Sequence, residues 1–195
     1  MPPKAKFTKE EIVNAGIEIL RESGIESVTA REIGSYLNSS ARPIFTVFNS
    51  MNEVLQEVEN KAKSIYTQYV KAGLENDIAF KGVGQAYIKF SKNEPKLFQL
   101  LFMKELPRQT GLEDILPVID DNYDDILRSV KDSYGLSDEA SLKLYHHLWI
   151  YTHGIATLFA TGMCSFSDEE ISNMLTEVFV SLLKNIKAGA DNDKN

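Results

Sequence analysis

Apolar residues recur along this chain at every third or fourth position, which is the period of an amphipathic α-helix. In the first such segment Ile12, Ile19 and Leu20 share one face, and Gly24 marks the end of the pattern. No stretch alternates between apolar and polar residues over the length that a sheet strand needs. The pattern therefore predicts an all-α protein, with helices near residues 8–23, 30–37, 40–48, 51–72, 77–92, 95–105, 112–133, 138–163 and 168–187.

Helix-start signals support several of these boundaries. A capping box pairs a Ser or Thr N-cap with a Glu three residues later, and each side chain accepts a hydrogen bond from the other residue's backbone N–H. Three full matches in one chain are not expected by chance, so they mark real N-termini. The boxes are Thr8 with Glu11, Thr29 with Glu32 and Ser167 with Glu170, and a weaker one is Ser50 with Glu53.

The first 50 residues fit a helix-turn-helix. Asn38 tolerates a left-handed backbone and makes a tight turn after the second helix. Pro43 falls in the first turn of the third helix, where its missing N–H would be unpaired anyway. The second helix of a helix-turn-helix can enter a DNA major groove. On spacing alone, an ordinary three-helix subdomain with solvated polar residues is an equally good interpretation.

Several side chains of this region have chemistry that suits DNA. Arg42 can donate two hydrogen bonds to a guanine. Thr29 and the free amides at the start of its helix suit a backbone phosphate. Lys4 and Lys6, on an N-terminal arm, would add attraction that does not depend on base sequence. The candidate DNA-binding residues are Lys4, Lys6, Thr29, Arg31, Ser39, Ser40, Ala41, Arg42, Phe45 and Thr46.

The charge balance differs between the two parts of the chain. The 195 residues carry a net charge of −7, but residues 1–50 hold six basic and six acidic side chains, so the whole deficit lies beyond them. A neutral head on an acidic body indicates two modules with different partners. The first residues lack the apolar core of a signal peptide, which predicts a cytoplasmic protein.

Few residues suggest catalysis or metal binding. The single cysteine, Cys164, excludes an internal disulfide framework and a cysteine-cluster metal site. His146 and His153 share a helix face, but no carboxylate lies close to them on that helix, so no metal site is predicted. No catalytic or cofactor-binding motif is present, so neither an enzyme nor a cofactor is predicted. A solvated helix face is the interpretation of the acidic cluster Asp120, Asp121, Asp124 and Asp125.

One uncharged stretch is long enough to cross a bilayer. From Leu144 to Ser167 the chain has no Asp, Glu, Lys or Arg. Because the stretch holds three histidines and three threonines, it would make a poor hydrocarbon helix. The preferred prediction is a helix that is buried against protein, with no membrane partner.

Residues of the N-terminal part form one specific pattern, which consists of Ile12–Leu20, Gly24, Thr29–Gly34, Ser40–Phe45 and Phe48. The pattern covers about residues 8–55 and resembles the N-terminal domain of TetR-family transcriptional repressors. The resemblance implies an all-helical homodimer with a variable C-terminal ligand-binding domain. It also implies repression of transcription through occupation of an operator.

The chain departs from that family pattern at two positions. Phe45 stands where the family usually has a tyrosine in the recognition helix, and phenylalanine cannot hydrogen-bond a phosphate. Met51 stands where a lysine commonly contacts the DNA backbone. Both departures predict fewer phosphate contacts than are usual in the family.

The last two predicted helices are apolar on more than one side. Trp149, His153 and Gly154 resemble the Trp–His–Gly motif of one group of TetR C-terminal domains. Two such helices suit a four-helix interface with a second subunit. The alternative is that both sides face the chain's own core. The candidate dimer-interface residues follow a,d spacing and are Leu148, Tyr151, Ile155, Leu158, Ile171, Leu175, Val178 and Leu182.

Aromatic residues of the body predict a cavity for a small apolar or aromatic effector. Each of them also fits an ordinary core position. The candidate ligand-pocket residues are Tyr87, Phe98, Phe102, Tyr123, Trp149 and His153.

These features together predict an N-terminal three-helix helix-turn-helix domain at 1–52, a helical-bundle ligand-binding and dimerisation domain at 53–190 and a polar tail at 191–195. The predicted function is that of a ligand-responsive repressor that binds a palindromic double-stranded DNA operator as a homodimer. The alternatives are a helical adaptor that binds partners without DNA activity and an unrecognised helical enzyme. Sequence-specific DNA retention that falls steeply with salt would separate the repressor from both alternatives.

Overall fold

The computed structural model describes residues 5–105 and 111–192. Within these residues the chain is helical and contains no strand, as the apolar periodicity predicts. Two 3-10 helices, Ile25–Ser27 and Arg42–Thr46, lie between the first three α-helices. The α-helices are α1 (Lys9–Ser23), α2 (Ala30–Tyr36), α3 (Met51–Leu74), α4 (Ala79–Asn93), α5 (Pro95–Phe102), α6 (Leu112–Ile119), α7 (Tyr123–Tyr134), α8 (Asp138–Ala160) and α9 (Asp168–Asn192).

The helix-start signals are confirmed at the N-termini of α1 and α9. At α1 the Glu11 N–H donates to Thr8 Oγ1 over 3.1 Å, and the Thr8 N–H donates to Glu11 Oε2 over 2.8 Å. The Ser167 N–H donates to Glu170 Oε2 over 2.7 Å at α9. Both boxes satisfy backbone donors that no helix can pair internally. The end of α1 at Gly24, where φ is +85°, is also as predicted.

The third element is shorter and tighter than predicted. The sequence pattern predicts an α-helix over 40–48, but the structure has a 3-10 helix over Arg42–Thr46. The Ile44 N–H donates to the Ala41 carbonyl and the Val47 N–H to the Ile44 carbonyl, each over 3.2 Å. Pro43 has no N–H to donate, so an α-helical ladder has few bonds to gain in so short a segment.

The predicted single helix over 112–133 is wrong, because the chain breaks between α6 and α7. Asp120 adopts an extended backbone, and its Oδ1 accepts hydrogen bonds from the Asn122 N–H over 2.9 Å and from Asn122 Nδ2 over 3.0 Å. Such local side-chain bonds compete with the helix ladder. Asp120 is only 2% exposed, so it does not belong to a solvated face, whereas Asp121, Asp124 and Asp125 are exposed as predicted.

The chain divides into two units. The first consists of the residues up to Tyr66 together with Glu94–Glu105, and the second consists of Thr67–Asn93 together with the residues after Glu105. In the first unit α1 packs against α2 and α5. Its fully buried side chains include Ile12, Leu20, Ile33, Ile44, Phe48, Val54 and Phe98.

In the second unit α4 is the central element, since it packs against both α7 and α8, and α8 in turn packs against α9. The end of α3 approaches α4 so closely that a Cβ added at Gly73 or Gly82 would overlap the backbone of the other helix. A buried cluster joins three helices through Ile88, Ile155, Ile171 and Leu175. No helix among the described residues is long and apolar enough to cross a membrane.

Candidate functional site

The turn between α2 and the 3-10 helix brings the two elements into direct contact. Asn38 has the left-handed φ of +49° that the sequence predicts, and the Ser39 N–H then donates to the Gly34 carbonyl over 2.8 Å. A Cβ added at Gly34 would lie 2.9 Å from the carbonyl carbon of Ser40 and 3.0 Å from the nitrogen of Ala41. Only glycine permits so close an approach, so Gly34 fixes the position of the residues that follow the turn.

The buried and exposed sides of this segment are sharply divided. Ile44 and Phe48 are buried in the core of the first unit, whereas Phe45 is 47% exposed. The 3-10 helix and the residue Ser40 before it therefore expose side chains of different chemistry. These are two hydroxyl groups, one guanidinium group and one phenyl ring. The predicted DNA-binding residues that are exposed are Lys6, Thr29, Arg31, Ser40, Arg42, Phe45 and Thr46; Ser39 and Ala41 are half-buried, and Lys4 lies outside the described residues.

Four of these side chains take part in three hydrogen bonds. Lys6 Nζ donates to Ser39 Oγ over 2.9 Å, which links the N-terminal arm to the turn. Thr29 caps α2 by accepting from the Glu32 N–H over 3.2 Å. The Thr46 hydroxyl donates to the Pro43 carbonyl over 2.6 Å.

Glu53, near the start of α3, bonds Asn49, which follows the 3-10 helix, and Lys9 of α1. Its Oε2 accepts from the Asn49 N–H over 2.8 Å, and its Oε1 lies 2.9 Å from Lys9 Nζ. These bonds, the Asn49 backbone bond first among them, lower the pKa of the Glu53 carboxyl. The sequence assigns Glu53 to a weak capping box with Ser50. The Glu53 N–H does donate to Ser50 Oγ over 3.2 Å, but the Glu53 carboxylate bonds Asn49.

An ion pair joins α1 to the residue that precedes α5. Arg21 Nε donates to Glu94 Oε2 over 2.9 Å, and Arg21 Nη2 donates to Glu94 Oε1 over 2.7 Å. This two-pronged geometry is the strongest form of arginine–carboxylate contact. It holds the start of α5 against α1 within the first unit. In the same unit Phe102 packs edge-on against Tyr66, with ring centroids 4.9 Å apart.

The predicted ligand-pocket residues fall into two groups. Phe98 and Phe102 lie in the first unit, where their ring centroids are 5.3 Å apart. The other four, Tyr87, Tyr123, Trp149 and His153, lie in the second unit. Sequence reasoning treats the six as one set because all of them are aromatic, and periodicity does not reveal to which unit a helix belongs.

Tyr87, His153 and Trp149 form a contiguous cluster between α4 and α8. The Tyr87 hydroxyl and His153 Nδ1 are 2.9 Å apart, and the Trp149 ring stacks on the His153 ring with centroids 4.6 Å apart. Burial raises the pKa of the Tyr87 hydroxyl well above its ordinary value, and the Asp120 carboxylate raises it further. Burial also lowers the pKa of His153, so its neutral ring can accept a hydrogen bond from the Tyr87 hydroxyl.

Three further residues lie in this region and were not identified from the sequence as candidate site residues: Asp120, Tyr145 and His146. Tyr145 lies one helical turn before Trp149, and its ring centroid is 5.6 Å from that of Tyr123. The spacing of Tyr145, Trp149 and His153 at four-residue intervals is the signal that could have identified Tyr145. Among the described residues no group of His, Cys, Asp and Glu is arranged to hold a metal ion.

The predicted dimer-interface residues also fall into two groups. Leu148, Ile155, Ile171 and Leu175 are buried within the chain itself, so they stabilise the second unit without any partner. The remaining four are half-buried and have surface left to cover: Tyr151, Leu158, Val178 and Leu182.

The burial of His153 predicts a pH dependence of stability. A histidine whose pKa is lower in the folded than in the unfolded state stabilises the fold above its ordinary pKa, and this contribution is lost as the pH falls. We expect the melting temperature to fall between about pH 7.5 and about pH 5.5, and His153→Gln to make that fall smaller. His147→Gln, at an exposed position, is the matched control and should leave the fall unchanged. Identical pH profiles for His153→Gln and the wild-type protein would contradict the prediction.

Together the fold and the helix-turn-helix-like segment define a helical protein whose described residues divide into two units. Residues 80–182 match the family model described as the tetracyclin repressor-like C-terminal domain, which covers more than half of the 195 residues. The chain therefore belongs to the TetR family of transcriptional regulators. No curated protein matches the sequence.

Proposed function

We propose that this regulator binds a specific double-stranded DNA operator as a homodimer, represses transcription there and releases the operator when a small effector binds. The close contact of Gly34 with Ser40 and Ala41 is the observation that carries the DNA-binding part. It fixes the exposed side chains of the 3-10 helix relative to α2, and a fixed geometry is what base recognition requires.

Arg42 and Phe45 are the side chains best suited to read bases. Arg42 is exposed at the start of the 3-10 helix, where its guanidinium is available for the O6 and N7 atoms of a guanine. Phe45 has no hydroxyl for a phosphate, but its exposed ring suits an apolar contact with the methyl group of a thymine. Lys6 adds charge at the turn, which strengthens binding to any sequence.

Half-buried apolar side chains on α8 and α9 support the proposal of a homodimer. Ile150 is 56% exposed, and it lies on the same side of α8 as Gly154 and Leu158. Val178 and Leu182 continue a half-buried apolar row on α9. Covering these surfaces with the same surfaces of a second copy would give a two-fold interface, which presents two recognition segments to a palindromic site.

The proposed response to an effector is supported by the connections that the chain makes between the two units. The chain passes from one unit to the other within α3, between Asn93 and Glu94, and again after Glu105. The Arg21–Glu94 pair holds the second of these crossings to α1. A coupling of about 1–3 kcal/mol between effector and operator is enough for a 5- to 150-fold loss of DNA affinity.

The test begins with selection of a duplex from a random-sequence library by the full-length protein. Arg42→Ala should weaken binding to the selected duplex at least about tenfold, since each half-site loses about 1–3 kcal/mol, and should relax preference at one position per half-site. Lys6→Ala should weaken binding to selected and random duplexes alike and reduce the salt dependence. Fluorescence anisotropy at two salt concentrations measures both effects.

Arg128→Ala is the matched control, because Arg128 is an exposed arginine of α7 that pairs with Asp125. Its affinity for the selected duplex should equal that of the wild-type protein. Equal affinities for Arg42→Ala and Arg128→Ala would contradict the assignment of Arg42 to base contact. Failure to enrich any duplex would favour a helical adaptor over a DNA-binding regulator.

A further inference from the structure

One side of α8 carries polar groups at the regular spacing of a helix face. Tyr145, Trp149 and His153 follow one another at four-residue intervals, and His146 lies beside them. Trp149 stacks on His153, and the ring centroid of Tyr145 is 5.6 Å from that of Tyr123 on α7. All of these residues belong to the second unit.

Polar atoms of this face are buried without a hydrogen-bond partner. The Tyr145 hydroxyl, Trp149 Nε1 and His146 Nε2 are shielded from solvent and unpaired in the described part of the chain, and Tyr145 as a whole is only 3% exposed. Nine in ten or more of the buried polar groups in folded proteins are paired, so three unpaired ones on neighbouring turns call for an explanation. A bound molecule that pairs with them is one.

The chemistry of these atoms limits what could bind. The Trp149 indole N–H is a donor only, so its partner must be an acceptor. Asp120 lies close enough to raise the pKa of the Tyr145 hydroxyl, after the larger effect of burial, so that hydroxyl also keeps its proton to donate. A negative charge close to Asp120 would be repelled. The rings of Tyr123 and Trp149 offer flat apolar surface to an aromatic molecule.

We propose that the second unit binds a neutral aromatic carbonyl compound, whose oxygen accepts hydrogen bonds from the Tyr145 hydroxyl and Trp149 Nε1. The inference rests on the proposed function in that this compound is the class of effector. It narrows the small apolar or aromatic effector that the sequence predicts to an aromatic compound with a hydrogen-bond acceptor. A hydrocarbon of the same shape would leave both donors unpaired and bind more weakly.

The experiment compares three probes on the full-length protein without DNA. These probes are 2-acetylnaphthalene, 2-ethylnaphthalene, which has the same shape but no acceptor, and 2-naphthoate, which carries a negative charge. Isothermal titration calorimetry gives the affinities. Because Trp149 is the only tryptophan in the chain, a change in its fluorescence on binding locates the probe at this site.

We expect the ketone to bind at least tenfold more tightly than either of the other probes. Tyr145→Phe and Trp149→Phe should each weaken ketone binding at least fivefold and leave hydrocarbon binding within twofold. Tyr134→Phe, which removes a tyrosine hydroxyl elsewhere in the same unit, is the control and should change neither affinity. Without any probe, Tyr145→Phe should melt at the same temperature as the wild-type protein or higher, because it removes an unpaired buried hydroxyl.

Equal affinities of the ketone and the hydrocarbon would overturn the proposal, and would indicate that water or nothing pairs with the two donors. Tighter binding of the naphthoate, or no binding of any probe, would overturn it as well. A lower melting temperature for Tyr145→Phe would show that the hydroxyl has a structural partner, which also overturns it. Since no DNA is present, these outcomes are separate from the failure of operator binding that would refute the proposed function.

Discussion

Gly34→Ala should abolish specific DNA binding while the protein stays helical. The added methyl group would lie 2.9 Å from the carbonyl carbon of Ser40 and 3.0 Å from the nitrogen of Ala41, and backbone atoms cannot move aside as a flexible side chain can. The 3-10 helix that carries Arg42 must therefore shift away from α2. Losing the arginine contact at both half-sites corresponds to a loss of affinity on the order of 100-fold.

The folding cost of the same substitution should be modest. Overpacking costs about 1–3 kcal/mol, and the better helix propensity of alanine offsets about 1 kcal/mol of that cost. Circular dichroism should therefore show wild-type helicity while anisotropy shows lost specificity. Gly84→Ala is the matched control, because its methyl group would meet only Thr152 Cγ2 at an ordinary 3.7 Å. Full specific affinity of Gly34→Ala would contradict the assigned role of this contact.

Leu158→Glu should separate the dimer into folded monomers, whereas Ile155→Glu should unfold the second unit. Leu158 is half-buried and belongs to the surface proposed for the second copy, so a carboxylate there is desolvated only when the dimer forms. Ile155 is packed against Ile88 and Ile171 within one chain. A carboxylate at that position would be buried without a partner in both the monomer and the dimer. It would therefore cost several kcal/mol on folding.

Sedimentation velocity and circular dichroism together distinguish these outcomes. We expect monomers with wild-type helicity for Leu158→Glu and a lower melting temperature with lost helicity for Ile155→Glu. Met163→Glu is the control, since Met163 is 73% exposed, and it should stay dimeric and folded. A dimeric Leu158→Glu protein, or a wild-type monomer at micromolar concentration, would refute the proposed interface.

The helix ends show how far local sequence determines this fold. Thr8 with Glu11 and Ser167 with Glu170 begin helices as predicted, because a capping box is satisfied by atoms three residues apart. Gly24 ends α1 for an equally local reason, namely a positive φ that glycine adopts at little cost. Such features need no knowledge of what packs against the helix.

The break at Asp120 shows where local reasoning failed. The apolar period runs through 112–133 without interruption, so periodicity predicts one helix and a solvated carboxylate. In the folded chain Asp120 is buried and bonds Asn122 between two helices. The energy of that arrangement depends on what surrounds the turn, which the sequence around it does not specify.

By itself, the sequence determined the all-helical class, most helix boundaries, the turn at Asn38 and the resemblance to TetR-family regulators, because capping, turn chemistry and helical period act over a few residues. Only the tertiary structure decided that Phe98 lies in the first unit, that Ile155 faces its own core and that Tyr145 packs beside Tyr123 of α7. These outcomes depend on contacts between residues far apart in the chain. An apolar or aromatic residue has the same period whether it faces its own core, a ligand or a second subunit, and only the packing of whole helices distinguishes the three.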